Sequence, residues 1–319
     1  MVKFGVFIPN GFYPKFSFAG VKEVALAAEK LGFDSVWVAD HFLNPPGIAS
    51  FGGQGFFDCM ITMAALSPIC HLTMGTAVYQ IPLRHPLNTA QLASTIDHAL
   101  EGRFIFGVGV GGQWKPEFDA ADVPYKGRGA RQEEALILIK KLWTEPVVNF
   151  EGKYYKMQNI NFEPKPFQKP HPPILLGGHA AQTFTRVAKT GDGWHPWCQS
   201  IKEYKYGMDE IKRQAKDFGR SPDEFQFNGD FWTCIRSDPK EALEDARPCV
   251  AYFTLHHGVE YKLEDLKLNC MIGTPGMIVE RINEYIQLGI KHFVHCFQPV
   301  DRTLETMEVF AREVIPRFR

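Results

Sequence analysis

The sequence lacks the features that mark several classes of protein. No apolar run among its 319 residues approaches the roughly 20 residues needed to cross a bilayer, and its opening residues do not show the pattern of a signal peptide. Lys and Arg (35 together) nearly balance Asp and Glu (36 together), so the formal net charge is −1 and no overall positive field would attract nucleic acid or anionic lipid. These absences predict a cytoplasmic protein with no membrane or nucleic-acid partner.

Motifs for disulfide, metal and hydrolytic chemistry are missing as well. The seven cysteines are scattered, odd in number and without a C-x-x-C pair, which predicts reduced thiols. His256 and His257 are adjacent, so they cannot share one helix face as a metal-binding i, i+4 pair would. No G-x-S-x-G motif occurs, and Asp40, Asp192 and Asp230 give no reason to pair as a glycosidase would require. We expect no metal site and no hydrolase.

What the sequence does contain is an α/β alternation of short apolar runs with amphipathic stretches. Repeated βα units predict a parallel sheet, and eight of them favour a closed (β/α)8 TIM barrel over an open doubly wound sheet. The predicted strands are 3–9, 35–38, 72–78, 103–109, 174–176, 193–194, 225–235 and 292–297. The predicted helices are 21–31, 58–67, 87–100, 130–143, 180–190, 201–218, 239–252, 275–288 and 304–315.

Three excursions interrupt this alternation. Residues 110–129 form a Gly-rich polar loop after strand four, and residues 256–272, after strand seven, are expected to form a loop or lid. Residues 145–173, before strand five, contain an expected hairpin and then the proline-rich stretch 164–173, which would be stiff and extended. That stretch is compatible with a domain linker, but the βα alternation resumes at once. We therefore predict a single barrel domain over residues 1–319.

Function in such a barrel belongs at the carboxyl ends of the strands. Asp40 and His41 follow strand two, where an acid beside an imidazole suits hydrogen bonding or proton transfer; a purely structural role is the alternative. The small residues at 75–78 end strand three and leave room for a flat ligand, or else serve only close packing of the strand.

Two glycine-rich turns suit a phosphorylated cofactor. Residues 107–112 follow strand four and permit close backbone approach to a ligand. They do not open a helix at once, as a dinucleotide-binding Rossmann motif would, so that motif is not expected. Residues 177–180 precede a predicted helix, whose first backbone N–H groups would bind an anion; a simple tight turn is the alternative.

Taken in order, these motifs resemble the bacterial-luciferase-like superfamily, whose members work with FMN or with coenzyme F420. The resemblance extends over nearly the whole chain, and each motif is weak alone while their joint order is specific. The matching segments are 4–9, 28–37, 40–42, 75–78, 84–86, 93–97, 102–104, 107–109, 117–118, 128–129, 172–178, 191–194 and 272–275.

The resemblance implies a cofactor ring over the strand ends, backed by a non-prolyl cis peptide that would fall at Ala77–Val78. It assigns catalysis to His41, with Asp40 orienting its ring. The residues expected to bind the cofactor are Gly75, Thr76, Ala77, Val78, Gly109, Val110, Gly111, Gly177, Gly178 and His179. The residues expected to line the substrate pocket are Phe42, Phe56, Trp114, Glu117 and Trp194. Because residues 48–57 are rich in Gly and Phe, we expect an apolar substrate.

The choice of cofactor depends on one local departure from the family pattern. Several F420-dependent members carry tryptophan soon after the histidine, whereas Asn44, Pro45 and Pro46 follow here. That difference favours a monooxygenase that uses reduced FMN, oxygen and a separate flavin reductase. The alternatives are F420-dependent hydride transfer without oxygen and a non-catalytic flavin-binding barrel. The resemblance also implies a homodimer formed through helices of the first half, where predicted helix 58–67 is strongly apolar.

Overall fold

The computed structural model describes residues 1–10, 17–44, 55–112 and 114–319. Within these ranges the chain forms twelve strands and twelve α-helices. The strands are β1 (Lys3–Ile8), β2 (Ser35–Val38), β3 (Thr73–Thr76), β4 (Tyr79–Gln80), β5 (Phe104–Gly109), β6 (Val148–Glu151), β7 (Lys156–Ile160), β8 (Ile174–Leu176), β9 (Gly193–Trp194), β10 (Gln226–Ile235), β11 (Met271–Gly273) and β12 (His292–Phe297). The helices are α1 (Phe18–Lys30), α2 (Cys59–Leu66), α3 (Pro86–Ala99), α4 (Lys115–Ala120), α5 (Arg128–Thr144), α6 (Ala181–Thr190), α7 (Ile201–Asp217), α8 (Pro239–Asp245), α9 (Cys249–His257), α10 (Leu266–Asn269), α11 (Pro275–Leu288) and α12 (Thr303–Glu313).

Parallel pairing closes the sheet into a barrel, which confirms the predicted (β/α)8 architecture. The strands follow one another around the barrel in the order β1, β2, β3 with β4, β5, β8, β9, β10 and β12, and β12 pairs with β1 to complete the ring. Strand β8 lies directly beside β5, although the proline-rich stretch separates them in sequence. That stretch and the antiparallel β6–β7 hairpin are therefore an excursion between two neighbouring barrel strands.

A tryptophan fills the middle of the barrel. Side chains alternate along a strand, so Trp37 points inward while Val36 and Val38 join the core under the helices. Glycine at position 75 makes room for the indole, because a Cβ there would collide with the Trp37 ring. His195 stacks on the other side, with ring centroids 4.6 Å apart and planes 8° from parallel. The interior is thus packed, and ligands are confined to its carboxyl-end rim.

Local capping explains where several helices begin and end. Ser200 and Glu203 form a reciprocal capping box at the start of α7. Thr274 caps α11, which has proline at its first position and ends at Gly289, whose φ of 102° favours glycine. Among the helices in the described ranges, none is both long and apolar enough to cross a bilayer.

The structure departs from the sequence predictions at the excursions. Residues 239–252, predicted as one helix, form α8 and the start of α9, because Pro248 has no N–H to continue the first helix. The predicted loop 256–272 contains α10 and the first two residues of β11, and residues 110–129 contain α4. All seven cysteines are buried free thiols, as predicted.

Helix α2 offers less apolar surface than its sequence indicates. Cys59, Met60, Met63 and Leu66 pack into the core, so its exposed apolar face is centred on Ile61, which is 63% exposed. The homodimer stays a prediction that now depends on a smaller patch.

Candidate active site

An ion pair anchors the loop after β2. Asp40 is buried, and its carboxylate binds the Arg84 guanidinium through two hydrogen bonds of 2.7 and 2.8 Å. The backbone N–H of Gln80 donates a third bond of 2.8 Å to Asp40 Oδ2. Both carboxylate oxygens are therefore engaged in holding β2 to the segment after β4. The expectation that Asp40 orients the His41 ring is wrong in this geometry.

Glu117 is the residue that holds His41. Its Oε2 lies 3.2 Å from His41 Nδ1, and its Oε1 accepts from the backbone N–H groups of Phe42 (2.6 Å) and Leu43 (3.3 Å). The side chain is almost fully buried, on α4 within the excursion after β5. The resemblance predicts Glu117 in the wall of the substrate pocket, whereas the structure places it directly behind the imidazole.

The surrounding hydrogen bonds assign a proton to His41 Nδ1. The two amide hydrogens of Gln80 face Asp40 O at 2.7 Å and Glu117 Oε2 at 3.2 Å. Gln80 Nε2 also lies 3.3 Å from His41 Nδ1, but in this arrangement both of its hydrogens are already directed elsewhere. The contact between Nδ1 and the Glu117 carboxylate then requires hydrogen on Nδ1, which assigns Nε2 as the proton-accepting atom. Burial raises the pKa of Glu117, but the hydrogen bonds from His41, Phe42 and Gln80 outweigh it, so the net shift is downward and the carboxylate stays charged.

Val78 packs between Gly109 and Gly177 and forms the back of the predicted cofactor site. We call this site, around Val78 and the turns after β5 and β8, the cofactor cradle. The Ala77–Val78 peptide is cis, as the family resemblance implied, and it separates β3 from β4. Gly75 pairs with Ile105 of β5, and Tyr79 pairs with Val108. The segment from Gly75 to Tyr79 is therefore one residue longer than the part of β5 that it faces, and it forms a β-bulge. A Cβ on Gly109 would lie 2.6 Å from Val78 Cγ2, and one on Gly177 would lie 3.1 Å from Val78 Cγ1. Glycine at position 109 is therefore needed for the bulge to fit, and a side chain at position 177 would press on the same valine.

The turn after β8 leads into α6 without a side-chain cap. Ala180 occupies the cap position and provides no side-chain acceptor, so the first N–H groups of α6 lack that partner. Gly178 has a φ of 99°, and its carbonyl accepts from Trp194 Nε1 at 2.8 Å. Gly178 and His179 are exposed at the carboxyl-end rim. This arrangement fits the predicted anion site.

The pairing of His195 with Asp230 below the rim was not predicted from the sequence. His195 Nε2 lies 3.4 Å from Asp230 Oδ2, and both side chains are almost fully buried inside the barrel. Asp230 Oδ1 and the ring nitrogens of His195 have no hydrogen-bond partner among the described residues. Side chains alternate between the two faces of a strand, so His195 points into the barrel on the same side as Gly193. This inward position could have been predicted from the sequence.

Aromatic side chains surround the rim near His41. The ring of Phe56 lies 4.8 Å from that of His41, and the Phe42 ring packs 4.2 Å from the Arg84 guanidinium. Across the barrel mouth, Trp197 contacts a cluster within 6 Å between ring centroids. Its members are Trp232, Tyr252, Phe253 and His256.

The other predicted residues divide between the site and the core. Thr76 is buried and donates to Gly107 O at 2.6 Å. Gly75 faces Trp37 rather than the rim, so its role is to admit the indole. Trp194 points outward between Phe184 and Tyr204, and its assignment to the substrate pocket is wrong, because Gly193 and His195 take the inward positions of that segment.

The remaining predicted residues lie at the rim after β5. Val110 and Gly111 follow that strand, and Trp114 stands at the start of α4, where all three are half-buried. Most of the Gly- and Phe-rich stretch 48–57, including Phe51, lies outside the described residues.

Comparison with known proteins decides the family. The profile of the family described as luciferase-like monooxygenase matches residues 2–267. The chain belongs to this family. It is 29% identical to an F420-dependent glucose-6-phosphate dehydrogenase of Intrasporangium calvum, covering 92% of both chains. It is 25% identical to an F420-dependent hydroxymycolic acid dehydrogenase of Mycobacterium tuberculosis, covering 92% of this chain and 83% of that one.

A solved structure of similar fold is an F420-dependent secondary alcohol dehydrogenase in complex with an F420-acetone adduct. It superposes with a TM-score of 0.84 at 22% identity, over 100% of this chain and 99% of that one. These relatives correct the earlier preference for an oxygen-using FMN monooxygenase, because they are named as dehydrogenases that depend on F420. Membership of the family makes the chain a luciferase-like oxidoreductase.

Proposed function

We propose that this protein is an F420-dependent oxidoreductase that interconverts an alcohol and the corresponding carbonyl compound. The names of the relatives support the cofactor and the reaction. The observation that carries the proposal is the His41–Glu117 pair, which presents a proton-accepting nitrogen at the rim of a barrel built to hold a flat ring.

Alcohol oxidation removes a hydride from carbon and a proton from oxygen. Bound F420 supplies the hydride-accepting ring and does not activate oxygen. His41 Nε2 takes the hydroxyl proton, and the resulting imidazolium is stabilised by the Glu117 carboxylate behind it. In the reverse direction the same nitrogen returns the proton to the carbonyl oxygen. The Asp40–Arg84 pair fixes the loop so that the imidazole is held in place.

The rim fits a deazaflavin sterically. Gly109 and Gly177 have no side chains that would occupy the space beside the Val78 bulge where the ring would lie. The start of α6, which has no side-chain cap, suits the phosphate of the cofactor. The backbone provides these contacts, so shape and N–H groups hold the ring and the phosphate.

The aromatic rim favours an apolar alcohol over a phosphorylated one. Phe56 lies against His41, and Trp197 packs beside Tyr252 and Phe253 at the barrel mouth. Arg84, the cation beside Phe42, is already bound to Asp40. We therefore place the substrate among secondary alcohols and ketones with apolar substituents, in agreement with the apolar pocket expected from the sequence.

Parallel titrations with F420 and FMN, in oxidised and reduced forms, test the cofactor. We expect saturable binding of F420 and at least about 10-fold weaker binding of FMN. The loaded protein should then reduce oxidised F420 with an apolar secondary alcohol and not with glucose 6-phosphate. Tighter binding of FMN than of F420, or oxygen consumption with reduced FMN, would overturn the proposal. His41→Ala should lower turnover by about 10²-fold or more with little change in F420 affinity.

A further inference from the structure

Two arginines beside the predicted cofactor cradle have no carboxylate partner in the part of the chain that the structure describes. Arg186 belongs to the middle of α6, yet a Cβ built on Gly129 would lie 2.9 Å from its Cζ and still closer to Nη2. Gly129 is the second residue of α5. Helical side chains lean toward the helix start, so the Arg186 guanidinium lies at the level of the first turn of α5, near the carboxyl-end rim.

Arg128 is the neighbouring cation. It opens α5, its guanidinium stacks 3.9 Å from the centroid of the Tyr125 ring, and its Nε is buried without a partner among the described residues. Burial lowers the pKa of Arg186, and the charge of Arg128 lowers it further against the opposing effect of Glu133. The two guanidinium groups are thus close enough to repel each other.

Within the described ranges, no carboxylate lies within 4 Å of the Arg128 or Arg186 guanidinium, whereas Arg84 has two and Arg236 has one. Glu133, whose charge acts on Arg186, is bound to Lys189. Two adjacent, partly buried, unneutralised cations raise the free energy of the empty protein. A bound anion would relieve that cost.

Contacts connect these arginines to both glycine-rich turns. A Cβ on Gly178 would lie 3.2 Å from Thr183 Oγ1, and Arg186 follows Thr183 by one turn of α6. On the other side, a Cβ on Gly111 would lie 2.5 Å from the Phe118 ring. Phe118 packs edge-to-face on Tyr125, the ring on which Arg128 stacks. The cations therefore flank the end of the cradle assigned to the phosphate.

We propose that Arg128 and Arg186 bind the acidic tail of the deazaflavin cofactor. This inference rests on the proposed function: F420 continues beyond its phosphate into a lactyl-oligoglutamyl chain, whereas FMN ends at the phosphate. Guanidinium groups bind carboxylates through paired charge-assisted hydrogen bonds. The two arginines give the protein a means to distinguish F420 from FMN that does not involve the ring.

Fluorescence titration with three ligands tests the inference. The ligands are F420 with several glutamates, its phospholactyl form without glutamates, and the deazaflavin without phosphate. We expect wild type to bind the first about 10-fold or more tighter than the second, with a preference that weakens as salt rises. Arg186→Gln should abolish that preference while leaving affinity for the phospholactyl form within about 2-fold. Arg186→Lys should restore part of it.

Two further variants make the result specific. Gly129→Ala displaces the Arg186 guanidinium without changing charge, so it should reduce the preference as well. Arg317→Gln removes an exposed arginine at the far end of α12 and should leave all three affinities unchanged. Circular dichroism and thermal melting establish that each variant is folded.

The outcomes separate this inference from the proposed function. If wild type binds no F420 form, both are overturned. If wild type binds the tailed and untailed forms equally, or if Arg186→Gln weakens all three ligands equally, the tail site is rejected while the proposed function stands.

Discussion

Replacing Glu117 by glutamine should reverse the proton arrangement on His41. The substitution conserves volume, and Oε1 still accepts from the N–H groups of Phe42 and Leu43. The new amide nitrogen occupies the position of Oε2, where Gln80 Nε2 and His41 Nδ1 both lie 3.2 Å away. An amide donor there forces Nδ1 to become an acceptor, so hydrogen moves to Nε2, the atom that the proposed reaction needs as a base.

The magnitude follows from the bonds that change. Two hydrogen bonds to a charged oxygen are lost, and each contributes about 1.5–3 kcal/mol to stability. Part of this loss is offset, because the variant no longer bears the cost of burying a charge. We expect the free energy of unfolding of Glu117→Gln to fall by about 2 kcal/mol. Turnover should fall by about 10²–10⁴-fold, the usual contribution of a general base, because the histidine is held in the wrong tautomer for that role.

Nitrogen-15 NMR of selectively labelled histidine measures the tautomer without a substrate, and His41→Gln assigns the signal. Wild type should show hydrogen on Nδ1, and Glu117→Gln should show it on Nε2. The matched control is Glu134→Gln, because Glu134 accepts from the backbone N–H groups of Lys153, Tyr154 and Tyr155, far along the chain from His41. That variant should lose stability without altering the His41 signal. A wild-type ring already protonated on Nε2, or one unchanged in Glu117→Gln, would refute the reasoning.

Four other substitutions probe separate parts of the structure. Arg84→Met leaves Asp40 buried without its cation and should lower the free energy of unfolding by about 3–5 kcal/mol, measured by urea denaturation. Gly178→Val places a side chain at a φ of 99° beside the predicted anion site, so titration should show at least about 10-fold weaker F420 binding in a folded protein. Burial, with the charge of a neighbouring histidine, lowers the pKa of His295 from 6.5 to about 3. Between pH 6.5 and 3 the unfolded chain therefore binds a proton at this histidine and the folded protein does not, so the free energy of unfolding falls as pH drops through that range. His295→Asn should reduce the slope of this pH dependence by about 1.4 kcal/mol per pH unit. Ile61→Lys should convert the predicted homodimer to a monomer in light scattering, and a wild-type monomer at micromolar concentration would contradict the dimer.

The alternation of strands and helices was predictable because it depends on patterns between residues that are close in sequence. Inward and outward positions repeat every two residues in β10 or β12, and the helices begin at residues such as Ser200 and Thr274 that cap them. The extra elements α10 and β11 were missed, since each is only three or four residues long and too short to show a period.

The partners within the site were less predictable, because they are distant in sequence. His41 and Glu117 are 76 positions apart, and no local pattern relates them. The carboxylate beside His41 in sequence, Asp40, points instead to Arg84. The cofactor was misjudged on one short neighbouring segment, residues 44–46. The backbone around Val78 suits either ring system and does not discriminate between them.

The fit of Val78 between two glycines has a consequence for how this rim can change in evolution or design. A side chain at position 109 or 177 meets the valine methyl groups before it meets any ligand. Substitutions at these three positions are therefore coupled, and their effects should be strongly non-additive. Gly109→Ala alone should disrupt the rim, whereas the same change combined with Val78→Ala should be tolerated. Homologous sequences that carry a larger residue at one of these positions should carry a smaller one at another.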